Sequence, residues 1–178
     1  MGRGVEALAV LSLLLSIRFC DSVTFKLTNV RCDSYNKSWV LVNECRLKAI
    51  NRHRVVFNFN ATFIHPTRNI FVFYQMFKRE SGYKPWLFKY SIDCCRFLRA
   101  PFNPFAIMVY DLYKDFSNVN HTCPLFGDIL IRGMYLSTAV KIPPFPTGNY
   151  MLSSVWSFYG NPQFGVNISF DFVENLVK

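Results

Sequence analysis

The sequence predicts an all-β fold, an antiparallel β-sandwich with one short amphipathic helix insert. Apolar and polar residues alternate with period two along most of the chain, which is typical of strands with one buried face. Turn signals recur at short intervals, and helical periodicity is confined to one segment, which excludes parallel α/β folds. Because 51% of the 178 residues are hydrophobic and 17% are charged, we expect a packed core and not a disordered chain.

Residues 1–22 are predicted to be a signal peptide, and residues 23–178 the folded domain. Arg3 precedes an apolar run from Ala7 to Ile17, which is too short to span a bilayer and is typical of the central part of a signal peptide. Cleavage after Ser22 is expected, with cleavage after Cys20 as the alternative. No later apolar stretch is long enough to cross a membrane, so we expect a secreted, extracellular protein that is not membrane-spanning.

The strands of the first half follow from the alternation of side chains. We expect strands in residues 23–28 and 39–50, and a third in residues 53–64, where Asn60 faces outward. The run 70–77 is apolar at both odd and even positions. This pattern predicts a strand that lies centrally, or one that packs against both a core and another element.

The next strand ends at two adjacent cysteines. Successive side chains of a strand point to opposite faces, so Cys94 and Cys95 are expected to point in opposite directions. One face of this strand would contain Trp86, Phe88, Tyr90, Ile92 and Cys94.

A helix is predicted after this strand, and two strands close the domain. Asn103 is suited to the N-cap and Pro104 to the first helical position. Apolar residues then recur at three- and four-residue spacing, which indicates an amphipathic helix that covers an apolar surface. The closing strands are expected in residues 150–159 and 164–172, with Asn167 facing outward.

Five cysteines remain after either cleavage. In an oxidising compartment an odd number indicates two disulfides and one unpaired thiol. Spacing alone does not fix the connectivity. A bridge from Cys32 to Cys45 would join the first two strands, Cys123 is the candidate partner of Cys95, and Cys94 is read as a small buried hydrophobe.

Four sequons support the same compartment. Each consists of an asparagine followed two residues later by serine or threonine, which makes it an acceptor for N-linked glycans in a secreted protein. The predicted glycosylation sites are Asn36, Asn60, Asn120 and Asn167.

Catalytic motifs are lacking in the sequence. No glycine-rich phosphate loop and no GxSxG motif occurs, and the three histidines lie in unrelated contexts. Asp111 and Asp115 lie one helical turn apart, but Lys114 beside them favours a solvated face over acid–base chemistry. His121 lies near Cys123 without a metal-binding motif. We therefore expect no enzyme, no cofactor and no metal site.

The net charge of +9 comes from 20 basic and 11 acidic residues and is concentrated in clusters. Such clusters suit nucleic acid, anionic lipid headgroups or an acidic receptor surface, or serve solubility alone. Secretion argues against nucleic acid. The clusters are Lys48, Arg52, His53 and Arg54; Lys78, Arg79, Lys84 and Lys89; and Arg96 and Arg99.

The aromatic content, 19 Phe, 9 Tyr and 3 Trp, is the second anomaly. So many rings predict either a tightly filled core or two sheets that separate around an apolar ligand cavity. In the second case Lys84 and Lys89 would lie at the rim and orient a polar head. The residues expected to line the interior are Phe57, Phe59, Phe73, Trp86, Phe88, Tyr90, Trp156 and Phe158.

Several motifs resemble a large family of secreted insect proteins known mainly as a domain of unknown function. Their order and spacing match across nearly the whole mature chain, except that Cys94 is additional to the family pattern. The motifs are Tyr83-Lys-Pro-Trp-Leu-Phe88; Ile92-Asp93 with Cys95 and Phe97; Asn103-Pro104; Ser117-Asn118 with Asn120-His-Thr-Cys-Pro124; and Pro144-Phe-Pro-Thr-Gly148 with Tyr150.

That family resembles a branch of the ML (lipid-recognition) superfamily, which implies an immunoglobulin-like sandwich that holds lipid between its sheets. It is also similar to insect contact-chemosensory proteins. The expected function is therefore non-catalytic binding of a hydrophobic ligand, such as a lipid, a pheromone or a cuticular hydrocarbon. The alternative is an extracellular accessory protein that modulates a chemosensory receptor or ion channel through surface contacts, without a bound ligand.

Overall fold

The computed structural model describes residues 22–52, 54–136 and 145–175. Residues 1–21, and with them the predicted signal peptide, lie outside the described residues, as do His53 and the prolines at 143 and 144. The described strands are β1 (Ser22–Ser34), β2 (Val40–Asn51), β3 (Arg54–Thr67), β4 (Ile70–Arg79), β5 (Tyr83–Asp93), β6 (Leu125–Met134), β7 (Gly148–Phe158) and β8 (Asn161–Asn175).

The strands form two antiparallel sheets, which confirms the predominantly antiparallel β class. The larger sheet has five strands in the order β1-β8-β7-β4-β5, and the smaller has three in the order β2-β3-β6. The sheets face each other through rings. Phe63 of β3 lies 5.0 Å from Phe158 of β7 and 5.7 Å from Phe164 of β8, measured between ring centroids.

The central position expected for the run 70–77 is confirmed, since β4 pairs with β5 on one side and β7 on the other. Its even-numbered residues Val72, Tyr74 and Met76 are buried against the smaller sheet and the helices. Its outer face is partly open to solvent, since Phe71 and Phe73 are 41% and 37% exposed. The residues of β4 are thus apolar at even-numbered positions because these face the core, and the odd-numbered Phe71 and Phe73 form an exposed aromatic outer face.

Two α-helices and a short 3₁₀ helix (Lys114–Phe116) connect β5 to β6, where the sequence predicted one helix. The expected helix α2 (Pro104–Tyr113) begins at the Asn103 cap, whose side-chain oxygen accepts a hydrogen bond from the Ala106 amide at 3.0 Å. An additional helix, α1 (Cys94–Arg99), begins where a strand was predicted to continue. Asp93 caps it by accepting from the Arg96 amide at 3.0 Å. The placement of the two cysteines on opposite faces of a strand was therefore wrong.

Both predicted disulfides are present: one joins strands of the two sheets, and the other joins a helix to the segment before β6. The Cys32–Cys45 bridge links β1 to β2, which are edge strands of the two sheets. The Cys95–Cys123 bridge links α1, directly after the opposite edge strand β5, to the segment that enters β6. Cys94 is free and buried. Disulfides of this kind fit an oxidising compartment.

Helix α2 covers the part of the larger sheet that lies beyond the smaller one. Phe105 packs against Phe88 and Tyr90 of β5 at 5.0 and 5.1 Å between ring centroids, and against Tyr74 of β4 at 5.8 Å. No helix in the described part of the chain has the length and apolar character needed to cross a bilayer.

We expect each disulfide to contribute about 3 to 4 kcal/mol to the free energy of unfolding. The closed loops have sequence separations of 13 and 28 residues, and loop-closure entropy makes the longer loop worth slightly more. Urea unfolding of the paired variants Cys32→Ala/Cys45→Ala and Cys95→Ala/Cys123→Ala tests this. Cys94→Ala, which removes no cross-link, should lose only about 1 kcal/mol. Equal losses in all three proteins would contradict the prediction.

Candidate ligand cavity

An apolar cavity of about 90 Å³ lies between the two sheets. Strands β3 and β6 form one wall, strands β4, β7 and β8 form the other, and α2 with the segment after it closes the side. The lining residues are Phe57, Phe59, Phe63, Tyr74, Val109, Tyr113, Ser117, Val119, Leu125, Ile129, Ile131, Leu152, Ser154, Trp156, Phe164, Val166 and Ile168.

The two serine hydroxyls of the lining are already engaged within the protein. Ser154 donates to the Val166 carbonyl at 3.2 Å and accepts from the Trp156 indole nitrogen at 3.4 Å. Ser117 accepts from the Val119 amide at 3.1 Å. Because a buried polar group is costly when it lacks a partner, an apolar molecule in the cavity would not leave these two hydroxyls unpaired.

The cavity is small for a ligand site. Its volume is below the roughly 150 Å³ that accommodates benzene in an engineered apolar cavity, and well below the roughly 300–1,000 Å³ of typical ligand pockets. In this conformation it holds at most a few non-hydrogen atoms. A lipid could enter only if side chains moved from the space between the sheets.

Three of the eight residues expected in the interior line this cavity: Phe57, Phe59 and Trp156. Phe158 is buried beside it, in contact with Phe63. Phe73 does not belong to the interior. It points away from the smaller sheet, with the Lys89 amine 5.7 Å from its ring centroid, because odd-numbered positions of β4 face outward.

The other expected residues, Trp86, Phe88 and Tyr90, lie elsewhere on the inner face of the larger sheet. Phe88 and Tyr90 pack under Phe105, and Trp86 lies 5.2 Å from Phe145, which precedes β7. These rings form a filled region next to the cavity.

The expected rim lysines are not at the cavity. The Lys84 amine forms an ion pair with the Glu80 carboxylate at 3.1 Å in the β4–β5 hairpin. Lys89 lies on the outer face beside Phe73. Neither residue lines the cavity.

Sequence reasoning missed most of the aliphatic lining. Phe63 and Phe164 could have been chosen from the same alternation that identified Phe57 and Phe59. Ile129, Ile131 and the side chains of α2 become part of the wall only when the smaller sheet and the helix pack onto the larger sheet. That packing leaves no local pattern in the sequence.

None of the four sequon asparagines is buried: Asn120 is exposed, and Asn36, Asn60 and Asn167 are half-buried. Asn36 is in the turn after β1 and accepts from the amide and hydroxyl of Ser38 at 3.1 and 2.7 Å. Asn60 lies on the outer face of the smaller sheet and Asn167 on that of the larger, as predicted, and Asn120 is exposed before β6. Glycosylation itself stays a prediction.

Buried titratable groups near the cavity are held in their neutral forms. Burial raises the pKa of the Cys94 thiol to about 12, with a smaller contribution from Asp93. Burial likewise raises the pKa values of Tyr74 and Tyr113 well above their ordinary value. A neutral thiol is a weak nucleophile, so these groups act as apolar core residues.

The polar residues considered for catalysis lie away from the cavity. Asp111 is exposed and paired with Lys114 at 2.7 Å, and Asp115 is exposed on the same surface. The His121 ring contacts the Thr122 carbonyl at 2.8 Å. Within the described ranges no group of three or more potential ligands is placed to hold a metal ion.

Fold and cavity together define a two-sheet antiparallel β protein with an apolar interior site. Residues 72–152 match the model of a family described as "Protein of unknown function (DUF1091)". The matched segment runs from β4 through both helices and β6 into β7 and covers less than half of the chain. It confirms the similarity to an uncharacterised domain family. No curated protein matches the chain.

We expect the free energy of unfolding to fall as the pH rises above about 9. The unfolded chain loses protons from Cys94 near pH 9 and from Tyr74 and Tyr113 near pH 10, whereas the native state retains them. Each retained proton lowers stability by about 1.4 kcal/mol per pH unit in this window. Urea unfolding at pH 7, 9 and 10.5 measures the slope.

Cys94→Ala should make the free energy of unfolding less dependent on pH, by the equivalent of one bound proton, between pH 9 and about 12. Over this range the thiol stays protonated in the native state only. Absorbance at 295 nm should show Tyr74 and Tyr113 ionising only on unfolding. An unchanged slope in Cys94→Ala would contradict the assignment of the native thiol as neutral.

Proposed function

We propose that this protein is a secreted, non-catalytic carrier that binds a hydrophobic small molecule between its sheets. The observation that carries the proposal is the apolar cavity between two facing sheets, whose lining serines are already satisfied within the protein. The ligand class would be a lipid, a pheromone or a cuticular hydrocarbon. An immunoglobulin-like, ML-like sandwich and a relation to contact-chemosensory proteins are part of this proposal.

Apolar burial would drive the binding. Each Å² of apolar surface removed from water contributes about 25 cal/mol, less the cost of association and of moving side chains. The disulfides hold the two sheets together at both pairs of edges. Enlargement would therefore come from side chains between the sheets and at their ends, not from separation of the edges.

Secretion is supported by three independent features. The chain begins with a sequence typical of a signal peptide, carries four sequons and contains two disulfides. None of the sequon asparagines is buried, and Asn60 and Asn167 lie on the outer faces of the two sheets.

Native mass spectrometry of the protein secreted from insect cells tests the carrier function. We expect a stoichiometric hydrophobic molecule that is released and identified after denaturation. A mass equal to that of the glycosylated chain alone, unchanged after incubation with lipid and hydrocarbon mixtures, would reject the proposal.

A cavity-filling variant gives a second test. Val109 of α2 is buried and lines the cavity, so Val109→Phe should reduce binding of a fluorescent apolar probe such as N-phenyl-1-naphthylamine about tenfold or more. Val173→Phe makes the same change at an exposed position of β8 and serves as the matched control. Equal binding by both variants would show that the probe binds outside the cavity.

One observation favours the alternative function, that of an accessory protein acting through its surface. Phe71 and Phe73 are exposed on the outer face of β4, and Leu87 is 70% exposed on the neighbouring strand. Exposed apolar clusters of this kind mark contact surfaces. If the protein is an accessory subunit, Phe71→Ser/Phe73→Ser should abolish its association with a membrane receptor or channel and leave probe binding unchanged.

A further inference from the structure

Lys78 is a basic side chain on the inner face of the larger sheet. It follows Val72, Tyr74 and Met76 in the inward alternation of β4, and it pairs in register with Lys84 of β5 and Tyr150 of β7. Its stem lies over Gly148, where the Cε atom is 3.6 Å from the position that a Cβ would occupy. The side chain therefore runs along the face that elsewhere forms the cavity wall.

Lys78 is half-buried as a residue, and its ammonium makes no ion pair or hydrogen bond with any described residue. Its neighbour Lys84 differs in this respect, since Lys84 is paired with Glu80 at 3.1 Å. A cation beside an apolar interior gains from an anionic partner, because the interaction is stronger there than in open water.

Phe145 packs on Tyr150, the residue of β7 that pairs with Lys78. Phe145 is 3% exposed although it lies outside the strands, just before β7. Its ring centroid is 5.2 Å from that of Trp86, 5.4 Å from Tyr150 and 5.8 Å from Phe172. Because Phe145 is not part of a strand, moving its ring out would break no hydrogen bond of the sheet.

The region around Phe145 adjoins the cavity along the strands. Tyr150 is the next inward residue of β7 after Leu152, which lines the cavity. On β4, Lys78 is four residues beyond Tyr74, another lining residue, which corresponds to roughly 13 Å along a strand. An extended apolar chain could run from the cavity to the Lys78 ammonium along this face.

We propose that the ligand is an anionic amphiphile whose carboxylate binds the Lys78 ammonium and whose apolar chain reaches the cavity in place of the Phe145 ring. This inference rests on the carrier function proposed above and specifies its substrate class and head-group residue.

Competition between ligands and the bound fluorescent probe at pH 7.5 tests the inference, with oleate and oleyl alcohol as matched ligands. Lys78→Met should weaken oleate binding about tenfold and leave oleyl alcohol binding within about twofold, because only the carboxylate contacts the charge. Lys78→Arg should retain the preference for oleate. Lys84→Met, the control, should leave the binding of both ligands unchanged. Phe145→Ala should tighten the binding of both ligands, because it makes room for the apolar chain of the ligand.

Other results would distinguish an error in the head-group assignment from a failure of the carrier function. The head-group assignment is wrong, while the carrier function stands, if Lys78→Met weakens the binding of both ligands equally or of neither. The same conclusion follows if Lys84→Met weakens oleate binding as much as Lys78→Met does. If Phe145→Ala weakens both ligands, the path is wrong. If the unchanged protein binds neither oleate nor oleyl alcohol, nor any other apolar molecule, the carrier function itself fails.

Discussion

The structure depends on the packing of aromatic rings between two sheets of unequal width. Phe63 of the smaller sheet inserts between Phe158 and Phe164 of the larger one, and this contact fixes how the sheets face each other. Three strands cannot cover five, so the uncovered inner face near β5 needs another apolar element. Helix α2 supplies it through Phe105 and Val109, and the Cys95–Cys123 bridge ties the helical segment to the smaller sheet.

Much of this fold could be predicted because its signals are local. Alternation located the strands, and the Asn103-Pro104 pair located α2. Both disulfides were expected, one because Cys32 and Cys45 belong to the first two strands and the other because Cys123 was the candidate partner of Cys95. Helix α1 was missed because six residues contain too few turns to show periodicity, and its one signal is the Asp93 cap. Phe73 was wrongly assigned to the interior because a strand that is apolar at both odd and even positions does not reveal which of its faces is buried.

The cavity was less predictable than the fold. Its existence depends on how closely side chains fill the space between the sheets, and protein interiors pack densely enough that one ring decides whether a void remains. Phe145 illustrates this, since a residue between strands fills a region whose walls are strand side chains. Aromatic composition therefore predicts the character of the interior but not its free volume.

The adjacent cysteines of α1 have a consequence for the oxidation of the chain. The sequence separations of Cys94 and Cys95 from Cys123 differ by one residue, so loop-closure entropy does not distinguish the two possible bridges in the unfolded chain. A Cys94–Cys123 bridge would engage a side chain that is buried in the core and would leave the half-buried Cys95 unpaired. Burial of Cys94 in the folded domain therefore favours the Cys95–Cys123 isomer over its alternative.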